Sequence, residues 1–165
     1  MATYTLISSV TVGSGGASTI DFTSIPATYT DLEILLCGRC TGGGNGVNVS
    51  FNSNTTGYTN SALQSSGSAI GSYGTYNRNV GLVTRAAETS DTFGSTKILI
   101  PNYAGSINKS YSSDSVAENN STTAYSTLTG GLWSNTSAIT SISLAPMDGS
   151  FVQHSTAYLY GISNA

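Results

Sequence analysis

An all-β fold, built as a single antiparallel β-sandwich, is what this 165-residue sequence predicts. Three observations carry the prediction. Charged residues make up only 8% of the chain, against roughly 25% in an ordinary globular domain, and Ser, Thr, Asn and Gly take their place. β-Branched and aromatic residues, ten tyrosines among them, lie between these polar ones, and such side chains fit a pleated, half-buried surface. Strand-like runs recur at short spacing with turn residues between them, which is the pattern of a sandwich or barrel. The length suffices for one domain with a real core, and no linker, charge block or repeat divides it, so one sandwich domain over residues 1–165 is expected.

The predicted strands, in order, are YTLISSVTV (4–12), STIDFTSI (18–25), DLEILLCGRC (31–40), GVNVSFN (46–52), YTNSALQ (58–64), NVGLVTR (79–85), STKILIPN (95–102), SYSSDSVAE (110–118), YSTLTGGLW (125–133), AITSISLAP (138–146) and STAYLYGI (155–162). In GVNVSFN, Val47, Val49 and Phe51 share one face and Asn48 and Ser50 the other, the period of a half-buried strand. AITSISLAP has no single apolar face, because Ile139 lies opposite Ile142 and Leu144; a bend, or burial on both sides, is expected there. KILI (97–100) does not alternate cleanly and suggests a central strand. The one helical candidate, TRAAETSDT (84–92), amounts to one or two turns. The closing AYLYGI can bury area on both faces, and a terminal strand of this kind pairs beside the first strand or inside a sheet. Jelly-roll-like sandwiches do this, and it keeps both chain ends anchored.

The formal charge is −3, and the five Lys and Arg residues are scattered singly. No basic patch exists to neutralise a row of phosphates, so nucleic acid is not an expected partner. No run approaches 18 apolar residues, so no membrane partner is expected either. The start, MATYTLISSV, lacks the charged and continuously apolar regions of a signal peptide, and synthesis in a cytoplasm is expected. N-x-S/T sequons at Asn48, Asn54, Asn108, Asn119, Asn120 and Asn135 barely exceed what a chain so rich in these residues generates by chance.

The motifs that could carry chemistry are weak. In CGRC (37–40), residues three apart on a strand point to opposite faces, so Cys37 and Cys40 could not bond without an intervening turn. No helix follows to activate a thiolate, and zinc would need two more ligands where the chain has one histidine, His154. Two reduced, half-buried thiols are expected, with His154 in a loop. Asp31 and Glu33 share a strand face, but carboxylates that cleave glycosides usually converge from different elements, so a solvated strand start is expected. Glu88 and Asp91 read the same way. GGGNG (42–46) lacks the Lys and spacing of a phosphate-binding loop, and NSNTTG (52–57) has no carboxylate for calcium. No catalytic, cofactor-binding or metal-ligating residue is assigned. Trp133 is expected in the core. GSYGTYNRN (71–79) places Tyr73 and Tyr76 in a Gly-rich loop near Arg78, a composition suited to adaptable contact surfaces; these three form the candidate interface.

Three segments also carry a resemblance. IDFTSIPATYTDLEILLCGR (20–39), VNVSFNSNTTGYTNSALQ (47–64) and LWSNTSAITSISLAPMDGSFVQHSTAYLYGI (132–162) together span about two fifths of the chain. In form and order they resemble segments of small virion structural proteins of tailed phages, marine and cyanobacterial ones in particular. Asn54 departs from the pattern, since such proteins often carry an acidic residue near that turn. The resemblance implies a β-sandwich, often jelly-roll-like, with no catalytic residues to carry over. It implies a non-enzymatic protein of the virion, a capsid decoration or cement protein binding the major capsid protein. The alternative is a head or tail fibre module that contacts the host surface. A homo-oligomer is expected, a trimer from the three-fold positions of such particles. An enzyme such as a glycan depolymerase is disfavoured by the sparse carboxylates and single histidine.

Overall fold

A computed structural model describes residues 2–67, 69–75, 77–120 and 123–163. It contains twelve strands: β1 (Thr3–Thr11), β2 (Ile20–Phe22), β3 (Asp31–Gly38), β4 (Gly46–Phe51), β5 (Tyr58–Ser65), β6 (Ile70–Thr75), β7 (Asn79–Leu82), β8 (Gly94–Pro101), β9 (Lys109–Glu118), β10 (Ala124–Trp133), β11 (Ile142–Pro146) and β12 (Thr156–Ser163). They form an all-β sandwich of two antiparallel sheets, eight strands in the order β1-β12-β3-β8-β9-β10-β5-β6 and four in the order β2-β11-β4-β7.

The pairings nest. β1 pairs with β12, β2 with β11, β3 with β8 and β4 with β7. A ribbon folded back on itself and then rolled produces this nesting, which is the jelly roll. Two hairpins are inserted into it. β5–β6 lies between β4 and β7, and β9–β10 lies between β8 and β11. Both hairpins join one sheet, beyond β8, and double its width. β12, which contains AYLYGI, sits between β1 and β3. Ala157 and Leu159 are fully buried on its inner face. Gly161 continues that face, and the ring of Tyr29 occupies the space where a β-carbon would project.

One apolar cluster fills the space between the sheets. Val47, Val49 and Phe51 from β4 face Ile34, Leu36, Ile98 and Ile100 from the larger sheet, all with almost no exposed surface. β8 is interior to its sheet, but Lys97 and Leu99 point away from the core while Ile98 and Ile100 point into it. The bend expected near residue 140 is present: Ile139 is buried ahead of β11, and Ile142 and Leu144 are buried within it. The Asn52 side chain, on a residue at φ 52°, holds the bend. Its Oδ1 accepts from Thr140 N (2.8 Å) and Ser141 N (3.2 Å), and its Nδ2 donates to the Ala138 carbonyl (2.8 Å).

Strands β8 and β9 of the large sheet meet β7 through hydroxyls. Ser113 Oγ donates to the Val80 carbonyl (2.5 Å), Thr96 Oγ1 donates to the Leu82 carbonyl (2.7 Å), and Leu82 N donates to Ser115 Oγ (3.2 Å). Gly81, at φ 149°, permits this approach; a β-carbon there would lie 2.8 Å from Thr96 Cγ2. The inner face of β9 is therefore serine-rich and still buried, because its hydroxyls satisfy backbone groups of the opposite sheet.

An aromatic cluster closes the end of the core. Phe51 packs against Trp133 (5.5 Å between ring centroids), Tyr58 (5.8 Å) and Tyr111 (6.0 Å), and Trp133 lies in the core as expected. Tyr58 donates to the Asn54 carbonyl and accepts from Phe51 N. Burial pushes the Tyr58 phenol up to about 12 and raises that of Tyr111 as well. An unfolded tyrosine ionises near pH 10, so between pH 10 and about 12 the unfolded chain binds fewer protons than the folded one. Stability is expected to be insensitive to these groups below pH 10 and to fall as pH rises towards 12. Urea midpoints measured across that range check it; a midpoint unchanged at pH 12 would contradict the burial of these phenols.

Candidate functional site

The expected interface trio is divided by the fold. Residues 70–75 are not a loop but β6, the edge strand of the large sheet, paired with β5 from Asn60↔Thr75 to Ser65↔Ile70. Tyr73 is exposed on that edge. Its ring lies over Gly71 of its own strand, 3.2–3.4 Å from where a β-carbon would stand. Arg78 is half-buried and faces β4, where Nη1 donates to Ser50 Oγ (2.5 Å) and its carbonyl accepts from Val49 N (2.9 Å). Tyr76 lies outside the described residues. Tyr73 borders a cleft of about 250 Å³ lined with amide side chains, among them Asn45, Asn60, Gln64, Asn77 and Asn79.

The largest feature was not singled out in the sequence: the outer face of the eight-stranded sheet. In register across all eight strands, one row runs from Ser9 through Tyr158, Leu35, Lys97, Asp114, Leu128 and Leu63 to Ser72. Seven strand spacings of about 4.8 Å make the face roughly 33 Å wide. Leu128 (61% exposed) and Leu63 (55%) sit side by side on it, with Val116 and Ile70 in the next row. An open trough of about 820 Å³ lies here, lined by Leu63, Leu99, Leu128, Lys97 and Asp114 among others. A second, of about 490 Å³, adjoins it between Leu63, Ile70, Val116 and Leu128.

Charge is sparse on this face. Lys97 Nζ bonds Glu33 Oε2 at 2.8 Å, and Asp114 is the cross-strand neighbour of Lys97. The Glu33 hydrogen bond raises the Lys97 pKa. Glu33 is thus buried under Lys97, a correction to the solvated strand start expected for Asp31 and Glu33. Asp31 also has a structural task, accepting from Asn102 N at 2.8 Å.

The remaining chemistry-bearing residues are placed as scaffold. Cys37 is exposed on β3 and Cys40 is fully buried, so the two thiols are free and differ in burial instead of both being half-buried. Desolvation raises both thiol pKa values, the opposite of what a reactive cysteine needs. His154 is an exposed loop residue at φ 72°. The GGGNG segment is a loop held by Asp148, whose Oδ2 accepts from Gly43 N at 2.8 Å. The segment read as a short helix, 84–92, is instead turns gathered around Arg39. The Arg39 guanidinium donates to the carbonyls of Ala86 (3.2 Å), Glu88 (3.0 Å), Thr89 (2.7 Å) and Thr92 (3.3 Å). Carbonyls that a helix would bond internally are claimed by one buried side chain. Glu88 pairs with Arg85 at 2.5 Å. Among the described residues no group of three or more His, Cys, Asp and Glu side chains is placed to hold a metal ion, and no helix is long and apolar enough to cross a membrane.

Compared with known proteins, the chain matches no family model and no curated sequence.

Proposed function

We propose that this chain is a structural protein of a phage virion that decorates or cements the capsid, and that it docks on the major capsid protein through the outer face of its eight-stranded sheet. The supporting observation is that face: eight strands wide, with leucine, valine and tyrosine side chains exposed among small hydroxyl residues. At roughly 33 Å by 20 Å it offers on the order of 600 Å², near one partner's share of a standard protein–protein interface. Within this face Leu63 and Leu128, flanked by Val116 and Ile70, form an exposed apolar cluster, and such clusters mark interaction sites. Short Ser and Thr side chains lose little rotamer entropy on contact, which suits a protein held by many repeated copies. The virion setting rests on the resemblance of the three segments, and trimers at three-fold positions belong to the same reading.

The paired change Leu63→Glu with Leu128→Glu tests it. These residues are cross-strand neighbours and both are exposed, so the fold is expected to survive. Affinity for purified capsids lacking the protein is expected to fall at least about tenfold, because two like charges would be desolvated together. Unchanged binding would remove this face from the account. One observation favours a second reading, a fibre module contacting host glycans: the amide-lined cleft beside Tyr73. Under that reading Tyr73→Ala abolishes host-cell attachment and leaves assembly into particles intact.

A further inference from the structure

We infer that β6 is a pairing edge for a second copy of this chain, joined antiparallel across a two-fold axis centred on Ser72. The argument starts from the four sheet edges. β2 is three residues long. β7 is four residues long, and Ser113, Ser115 and Thr96 bond its backbone groups. β1 is broken by a bulge between Leu6 and Ser8. Shortness, covering and bulges are the usual protections of an edge. Among the described residues β6 has none of them: it is six residues of regular register with no charge and no proline.

Its hydrogen-bonding direction follows from the adjoining turn. Ser66 N donates to the Ala69 carbonyl (3.1 Å), and the ladder alternates from there. Gly71 and Tyr73 turn their backbone groups towards β5, and Ile70, Ser72 and Gly74 turn theirs outwards. Three N–H and three C=O groups are therefore presented in a row. Directly opposed residues of an antiparallel pair share a face, and a two-fold axis normal to the sheet preserves faces. Centring on Ser72 then bonds Ile70 to Gly74 of the other copy and Ser72 to its own equivalent. It also sets Tyr73 opposite the other copy's Gly71. Each large side chain faces a glycine, so directly opposed side chains do not collide. This self-complementarity selects a second copy over an unrelated strand. The product is a continuous sixteen-stranded sheet with both outer faces on the same side. The inference stands whether or not the virion reading does.

Two variants test it in the full-length protein. In Ser72→Pro the lost N–H points away from β5, so the sandwich is expected to keep its fold and stability. Its mass in solution is expected to drop by a factor of two relative to the wild type. In Ser72→Cys, made with Cys37→Ser, the paired Cα atoms would lie about 5.5 Å apart, within disulfide range. Mild oxidation or a short thiol-bridging reagent is expected to yield a covalent dimer of twice the 16.9 kDa chain mass. Ser112→Cys, exposed on β9 far from the axis, is expected to give none. Equal cross-linking of the two cysteine variants, or a wild-type mass that Ser72→Pro leaves unchanged, would overturn the inference.

Discussion

Phe51→Ala is expected to lower the unfolding free energy by about 3–5 kcal/mol, a large share of a typical domain's total. Phe51 is the hub where the two sheets meet at the inserted hairpins. Its ring touches Tyr58 from β5, Tyr111 from β9 and Trp133 from β10, the last two edge-on. Truncation leaves a cavity bounded by three rings anchored on three strands, and none of them can close it without moving a strand. Trp133→Phe is expected to cost far less. Trp133 Nε1 and Tyr111 Oη are buried without a protein partner, so the smaller change also relieves a desolvated donor. Urea unfolding of both variants checks the ranking. A Phe51→Ala loss below about 1 kcal/mol would mean that the inserted hairpins do not depend on this cluster.

Arg39→Ala is expected to cost about 2–3 kcal/mol, and its effect should be concentrated in residues 86–92. Four carbonyls converge on one guanidinium that is itself buried. Removing it leaves these oxygens without their charged donor and releases the turns they fix. Lysine cannot reproduce the fork geometry, so Arg39→Lys should recover only part of the loss. Thermal melts give the global cost, and amide exchange locates it. Exchange that rises evenly over the whole chain, with no excess at 86–92, would contradict the anchoring role.

These residues also show how far the sequence could be read. The eleven predicted strands correspond to eleven observed ones, because alternation such as Val47, Val49, Phe51 reports the inward face directly. β6 escaped because an edge strand with two glycines and no buried side carries no alternation; GSYGTY has the composition of a loop. The turns at 84–92 were read as helical because alanine and glutamate favour helix locally, whereas Arg39, distant in sequence, decides their carbonyls' partners. Ser113 and Ser115 are buried, and no local pattern reveals that β7 lies over them. Glu33 looked like a free carboxylate because its partner Lys97 becomes a neighbour only through the β3·β8 register. The outer face was invisible for a related reason. Leu63, Leu128 and Leu35 occur singly on separate strands, and only the strand order lines them up.

The most direct test of the proposed role is the number of copies per purified particle, measured by quantitative mass spectrometry against the major capsid protein. Decoration through a broad sheet face predicts a ratio near one copy per capsid subunit, or one per three. A handful of copies per particle would contradict it, and would move the function to a fibre acting through the cleft beside Tyr73.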